Sequence, residues 1–376
     1  MIGFNKPYLT GNEFKYIEQA IALQNISGNG VFTKKCQSFF EKKYNFSKCL
    51  LTHSATAALE MAAILADIKP GDEVILPSYT FVSTANAFLL RGATLIFCDS
   101  NENDPNIDVS HLKSLITGKT KAVVIVHYAG VGCDMDAILS LVNERNILLI
   151  EDAAQAIDSY YKMRPLGSFG HFAAFSFHET KNVISGEGGM LVINDNRFIQ
   201  RAEIIWEKGT NRASFYRKEV SKYCWVDIGS SFLPSELTAA FLFAQLESLD
   251  VIQKRRRDLW NLYYKLLYPL KEAGKIKLPA VDIENHGNAH IFYAITENIS
   301  QRDALLLHLE QNGVQAIFHY LALHKSPYFQ SINSVQPSLR NAEHFEETLI
   351  RLPLYFELTE NQIIYISDQI IQFYNR

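Results

Sequence analysis

Several familiar signatures are missing from this 376-residue chain, and each absence removes a class of function. The five cysteines, Cys36, Cys49, Cys98, Cys133 and Cys224, are odd in number and widely spaced, with no C-x-x-C pair. That excludes a disulfide framework or zinc ribbon and leads us to expect reduced thiols in a cytoplasmic protein. The eleven histidines show no H-x-x-x-H spacing on a helical segment, which removes the usual basis for a metal hydrolase. No apolar run approaches the ~20 residues needed to span a bilayer, and Met1 to Pro7 lack the charged-then-apolar pattern of a secretory leader. With 36 basic against 40 acidic residues the net charge is −4, so no cationic excess points to nucleic acid. There is no internal repeat, no low-complexity stretch and no Pro/Gly/Ser linker.

Short apolar runs are plentiful. Cys49–His53, Glu73–Leu76, Leu95–Cys98, Ala122–Tyr128, Ile147–Glu151, Phe172–Phe177 and Met190–Ile193 are rich in Val, Ile, Leu and Phe and alternate little with polar residues. Strands buried on both faces have this composition. Amphipathic segments lie between them at Ala55–Ala66, Asn86–Leu90, Val109–Ile116 and Met135–Asn143. The alternation predicts an α/β fold with a seven-stranded, mostly parallel central sheet. From Ser235 long helical patterns take over, at Leu237–Leu249 and Val251–Leu267, followed by helices and short strands (His290–Ile295, Val314–Phe318) of a smaller α+β unit. We expect a large domain over 1–250 and a small one over 251–376. The basic run Lys254-Arg255-Arg256-Arg257 reads as a solvated helix face.

In open α/β sheets, ligands bind beyond the carboxyl ends of the strands, and five such ends carry notable residues. Ser54-Ala55-Thr56 opens a helix, where free N–H groups, hydroxyls and the positive dipole end suit a phosphate. The same residues also make an ordinary cap. In Pro77-Ser78-Tyr79-Thr80-Phe81 an aromatic ring can stack on a flat ligand or simply fill core. Asp152 directly follows an apolar run, so its carboxylate should be buried and in need of a partner. Ser176 ends a Phe-rich run, and Lys181 follows it in a turn. A lysine in a closed pocket loses basicity and becomes a nucleophile and base. Ser185-Gly186-Glu187-Gly188-Gly189 precedes a strand and lacks G-x-G-x-x-G, so it reads as the tight turn that positions the lysine loop. A lysine and an aspartate at the ends of two buried strands are the two groups that pyridoxal 5'-phosphate requires.

In this order the motifs resemble a known family. Pro77-Ser78-Tyr79-Thr80-Phe81-Val82-Ser83-Thr84-Ala85-Asn86, His127-Tyr128-Ala129-Gly130, Glu151-Asp152-Ala153-Ala154-Gln155 and Phe175 to Asn182 are similar to those of the DegT/DnrJ/EryC1/StrS nucleotide-sugar aminotransferases, with an aspartate-aminotransferase-like (fold-type I) architecture. The resemblance covers nearly the whole chain. It implies that Lys181 binds the cofactor as an imine, Asp152 pairs with the pyridine nitrogen, Gln155 bonds the ring hydroxyl and Phe81 stacks on the ring. Ala55, Thr56 and Ser176, with Ser54, would hold the phosphate. It also implies a homodimer with the active site at the interface. One departure stands out: by alignment Leu233 replaces an asparagine that in many members reaches the partner's phosphate, and Ser230 or Ser231 would have to substitute.

Glu207 to Arg212 and Asp227 to Ser231 carry the resemblance further, to members that use L-glutamate to aminate C4 of a dTDP-4-keto-6-deoxy-hexose. The product would be a 4-amino-4,6-dideoxygalactose for surface polysaccharide, with 2-oxoglutarate released. A gluco product and a 3-amino sugar stay open. For the sugar nucleotide we expect contacts from Asn211, Arg212, His319, Tyr320 and His324, Arg212 by charge-assisted bonds to a diphosphate, with the two histidines reading equally well as satisfied structural residues. A dehydratase of the same fold would carry histidine where Lys181 stands. An NAD-linked oxidoreductase would need a glycine fingerprint absent from His53-Ser54-Ala55-Thr56. A regulator on this fold would need an added DNA-binding domain.

Overall fold

A computed structural model describes residues 1–280, 285–333 and 337–375. Its strands are β1 (Lys48–Thr52), β2 (Glu73–Pro77), β3 (Thr94–Cys98), β4 (Thr120–Val126), β5 (Leu148–Asp152), the small hairpin β6 (Tyr160–Tyr161) and β7 (Arg164–Pro165), then β8 (Phe172–Ser176) and β9 (Gly189–Ile193). Seven of them form the central sheet in the order β1-β9-β8-β5-β4-β2-β3. All seven expected strands are there. The sheet is parallel except at β9, which runs antiparallel to both β1 and β8.

Side-chain alternation splits this sheet between two cores. Leu50, Leu76, Val124, Ile150, Ala174 and Leu191 face one, and Leu51, Ile75, Val123, Leu149, Phe175 and Met190 face the other. Neither face meets water, so the strands carry no polar alternation. Helices cover both sides: α1 (Glu13–Ala22), α2 (Val31–Tyr44), α3 (Ala55–Leu65), α4 (Val82–Leu89), α5 (Val109–Leu115), α6 (Met135–Asn143), α7 (Ile199–Trp206), α8 (Arg212–Tyr216) and α9 (Glu236–Glu247). Helix α4 begins directly after Phe81, four residues ahead of the expected start.

Helix α2 was not legible locally, because its cap is remote. The buried Glu236 carboxylate of α9 accepts from the N–H groups of Gly30 (2.9 Å), Phe32 (2.7 Å) and Thr33 (3.0 Å) and from the Thr33 hydroxyl. One anion thus satisfies orphan donors of the first turn and meets the positive end of the helix.

Helix α10 (Leu249–Glu272) leads to β10 (Asn285–His286), which extends the small hairpin, and to a three-stranded antiparallel sheet of β11 (Phe292–Ile295), β12 (Ile317–Phe318) and β13 (Leu349–Leu352) with a third core. The N-terminus reaches this unit as well: Ile2 pairs with Val314, with its N–H 2.7 Å from the Gly313 carbonyl. The basic run on α10 corrects our expectation. Arg256 is buried and donates to the carbonyls of Ala289 (3.1 Å) and His290 (2.6 Å), while Arg255 donates to those of Phe356 and Leu358. Arg257, 3.5 Å from Asp158, and Lys254, paired with Asp258 one turn on, are the exposed members of the run and fit a solvated face.

The remote cap gives a stability prediction. Glu236→Ala leaves three buried backbone donors unpaired and should cost about 3 kcal/mol in urea unfolding, with Glu236→Gln costing less.

Candidate active site

Strand register sets one edge of the sheet as a row of functional positions. Thr52 and Ser176 both pair with Gly189, and Asp152 pairs with Val126 on one side and Ala174 on the other. Because β9 is antiparallel, its first residue sits among the last residues of its neighbours. Only glycine fits there: a Cβ on Gly189 would come within 2.3 Å of the Ser54 carbonyl carbon. The start of α3 can therefore lie directly over the sheet edge.

Ser54 caps α3, its hydroxyl accepting from the Ala57 N–H at 3.1 Å. The N–H groups of Ala55 and Thr56 have no carbonyl behind them in the helix and face a cavity of about 380 Å³. The Thr56 and Ser83 hydroxyls, 2.7 Å apart, and Ser176 line the same wall. Hydroxyls and free amides at a helix N-terminus make an anion site.

Asp152 closes β5 on the α3 and α4 side of the sheet. Its Oδ2 accepts from the Thr84 hydroxyl at 2.7 Å and its Oδ1 from the Ala154 N–H at 3.1 Å. Burial pushes its carboxyl up, offset in part by Thr84, the Ala154 N–H and Lys181. Among the described residues no cation is in ion-pair contact with it, so a buried carboxylate without a counter-ion faces the cavity. Its neighbour Glu151 points to the other face. There it is fully buried and accepts from the N–H groups of Gly167, Phe169 and Gly170 at 2.6–2.7 Å and from His127 Nε2 at 2.8 Å. The Cys133 N–H donates to His127 Nδ1, which fixes Nε2 as the protonated nitrogen.

Lys181 lies in the hairpin from β8 to β9. The bonds Phe177 N–H to Gly188 O, Ser185 N–H to Phe177 O and Glu179 N–H to Gly186 O hold the loop, and Gly186 turns it at φ 78°. Burial, reinforced by the Arg351 guanidinium, holds the Lys181 ammonium down to about 8 against the opposing pull of Asp152. A substantial neutral fraction near neutrality makes this amine a base and nucleophile.

All eight residues expected to hold the cofactor line the one cavity: Ser54, Ala55, Thr56, Phe81, Asp152, Gln155, Ser176 and Lys181. Gln155 is oriented by the Ala129 N–H, 2.7 Å from Oε1, and its Nε2 donates to the Tyr320 hydroxyl at 2.8 Å. Phe81 presents an exposed ring at the wall. His319 and Tyr320 line the cavity too, stacked at 3.7 Å.

Three expected sugar contacts are not brought there within this chain. His324 is buried between Ser78 Oγ (2.7 Å) and Glu343 (3.1 Å), a structural link outside the cavity. Asn211 fastens its own loop through the Cys224 N–H and the Lys222 carbonyl. Arg212 turns to Tyr216 and Glu207. Leu233 lies against Gly28 and packs on the core, while Ser230 and Ser231 are exposed.

Sequence reasoning passed over Arg351 and His290, both of which line the cavity. Arg351 Nε is buried without a hydrogen-bond partner, and its guanidinium stands 4.8 Å from the Phe4 ring centre, with no acidic partner among the described residues. A cation inside the apolar strand Leu349-Ile350-Arg351-Leu352 was the available signal.

The donor set fits pyridoxal 5'-phosphate. It offers an anion cradle, a buried carboxylate with no ion-pair contact among the described residues that would suit a pyridinium nitrogen, a weakly basic lysine and a flat ring. Comparison with known proteins agrees. The model of the DegT/DnrJ/EryC1/StrS aminotransferase family matches residues 7–371. The GDP-perosamine synthase of Escherichia coli O157:H7 is 32% identical over 98% of both chains. The dTDP-4-dehydro-2,3,6-trideoxy-D-glucose 4-aminotransferase of Saccharopolyspora spinosa is 29% identical over 98% of this chain and 96% of its own. The structure of the aminotransferase TlmJ from Streptoalloteichus hindustanus superposes with a TM-score of 0.91 at 27% identity, covering 100% of this chain and 99% of that one. These relatives do not single out the dTDP-aminogalactose branch that the finer motifs suggested.

The electrostatics predict a titration. In the cofactor-free full chain, Lys181 should react with trinitrobenzenesulfonate with a midpoint near pH 8, against 10.5 for an ordinary lysine. Asp152→Asn removes the one charge that raises it, so the midpoint should fall further.

Proposed function

The chain belongs to the DegT/DnrJ/EryC1/StrS aminotransferase family, is a pyridoxal 5'-phosphate-dependent nucleotide-sugar aminotransferase, and on that premise we propose that it moves the amino group of L-glutamate to C4 of a nucleotide-linked 4-keto-6-deoxyhexose. The observation that carries this reading is the grouping of a weakly basic lysine, a buried carboxylate with no ion-pair contact among the described residues and a helix N-terminus around one cavity.

The α3 N-terminus with Ser54, Thr56 and Ser176 would hold the phosphate, and Phe81 would cover one face of the ring. Asp152 would keep the ring nitrogen protonated, and Thr84 and the Ala154 N–H keep Asp152 in place. The second Nε2 hydrogen of Gln155, not used by Tyr320, would be available to the ring hydroxyl. When bound, the cofactor supplies an electron-withdrawing ring that stabilises the charge left as the donor's Cα–H bond breaks. Lys181 Nζ takes that proton, and in the second half it delivers a proton to C4 of the sugar. Arg351, whose buried Nε has no hydrogen-bond partner and which has no acidic partner among the described residues, suits a donor carboxylate by charge-assisted bonds. His319 and Tyr320, stacked at the same cavity, are placed to meet the sugar.

The nucleotide has two readings. The motifs at Glu207 to Arg212 and Asp227 to Ser231 favour dTDP and a galacto product, whereas a relative at 32% identity is named for a GDP sugar. A homodimer accounts for Asn211 and Arg212, which lie beside a strip of bare apolar side chains. Trp225 is 82% and Tyr216 68% exposed, next to exposed Tyr223, Val226 and Ile228. Such a contiguous apolar strip marks an interface, and a second copy covering it would carry Arg212 toward a neighbouring site.

Two outcomes are expected. L-Glutamate should bleach the visible band of the cofactor-loaded protein, and Lys181→Ala should abolish turnover, by at least about 10³-fold. An Ala variant with wild-type rates sinks the assignment. Supplying a dTDP-linked and a GDP-linked 4-keto-6-deoxyhexose in parallel, with NMR of the product at C4, decides the nucleotide and the configuration. Sedimentation should find a dimer, and Trp225→Asp with Tyr216→Asp should shift it to monomer with loss of activity.

A further inference from the structure

The turn after β4 contains a strained residue. Ala129 sits at φ 58°, in the left-handed region that residues with a side chain adopt at a cost. From this turn two anchors run to one pair of rings. The Ala129 N–H donates to Gln155 Oε1 at 2.7 Å, and Gln155 Nε2 donates to the Tyr320 hydroxyl at 2.8 Å. One residue earlier, the Tyr128 hydroxyl lies 2.6 Å from His319 Nδ1. The His319 and Tyr320 rings stack with centres 3.7 Å apart, and both line the cavity of Lys181.

These bonds fix where the hydrogens lie. Tyr128 is buried, and its hydroxyl has His319 Nδ1 as its one hydrogen-bond partner among the described residues. If Nδ1 carried the proton, the buried phenol hydrogen would have no acceptor. The phenol therefore donates, Nδ1 accepts, and Nε2 is the N–H nitrogen. Burial, with Arg351 and Lys181 nearby, keeps the ring neutral, well below the ordinary histidine range. Tyr320 is settled in the same way. Its oxygen is occupied by Gln155, and burial pushes its hydroxyl up to about 12, so it keeps its hydrogen. Neither that hydrogen nor the His319 Nε2–H meets an acceptor among the described residues. Two neighbouring side chains thus offer the cavity two donors. A hydroxyl group placed against them would bring a third hydrogen, whereas a carbonyl oxygen brings two lone pairs and none.

We propose that the His319 Nε2–H and the Tyr320 O–H donate to the carbonyl oxygen of the keto sugar, and that Tyr128 is the positioning residue that holds the imidazole in its donor tautomer. The pair then selects a ketone over the corresponding alcohol at the carbon to be aminated. A carboxylate oxygen of the amino donor has the same acceptor chemistry, but Arg351, without an acidic partner among the described residues, provides for that group. The proposal deepens the aminotransferase reading and rests on it.

The test measures the two half-reactions separately on the cofactor-loaded full chain. L-Glutamate bleaches the visible band, and a dTDP-linked or GDP-linked 4-keto-6-deoxyhexose restores it. His319→Asn keeps an acceptor for Tyr128 and deletes the Nε2 donor, so its sugar half should slow at least about 10-fold more than its glutamate half. His319→Gln carries an amide to the Nε2 position and should recover most of that loss. Equal slowing of both halves, a larger loss in the glutamate half, or no recovery with Gln overturns the proposal. A wild type that bleaches with glutamate but takes neither keto sugar, or does neither, removes the parent reading and the proposal with it. If the variants do not fold, ¹⁵N NMR of the wild-type imidazole decides. A protonated Nε2 with a hydrogen-bonded, bare Nδ1 whose signal moves in Tyr128→Phe supports the proposal, and a bare Nε2 refutes it.

Discussion

Two consecutive carboxylates at the end of β5 face opposite sides of the sheet, and the rest of the site depends on how differently they are satisfied. Glu151 accepts four hydrogen bonds and is finished. It pins the Gly167–Gly170 turn that leads into β8 and, through His127, the loop beyond β4. Asp152 accepts two and keeps a deficit that a cationic ring nitrogen can fill. The pleat of a β-strand is what separates the two roles. The same apolar run that buries both side chains sends one to structure and the other to chemistry.

The small unit is joined to this edge by polar contacts as well as by packing. Asn182 bonds Gln253 of α10 and the backbone of Asn288, and Asn288 in turn donates to the carbonyls of Gln155 and Ile157. Arg256 ties the next two carbonyls along. Buried networks of this kind specify geometry when every member is satisfied. Here they connect the lysine turn, the Gln155 loop and the segment before β11, so three pieces of the cavity wall share one scaffold.

Much of this was legible in the sequence, for a physical reason. Strands buried on both faces leave uninterrupted apolar runs, and ligands gather where those runs end. Lys181, Asp152 and Ser176 stand at or just beyond such ends, and it was their combination, with the family resemblance, that singled them out in the sequence. The failures share a different cause. Helix α2 takes its cap from Glu236, far along the chain, and its first turn carries no capping side chain of its own. Arg256 sits in a run of four cations that looks solvated until the segment at Ala289 folds against it. His324 was credited with sugar binding, yet its partners Ser78 and Glu343 come from distant elements that no local pattern links. Arg351 becomes visible only when the small sheet brings it under Phe4.

The placement of β9 bears on how the nascent chain matures on the ribosome. Strand β1 has β9 as its one neighbour in the sheet, and β9 is the last of the seven to be synthesised. The sheet edge that receives α3 is therefore unfinished until Ile193 has emerged. Ile2 and Phe4 wait longer still, for Val314 and Arg351. Contacts between such distant segments form slowly and leave apolar edges open in the interval. From the emergence of Thr52 to that of Ile193 this polypeptide carries an uncompleted β1 edge, the kind of surface that a chaperone would be expected to shelter.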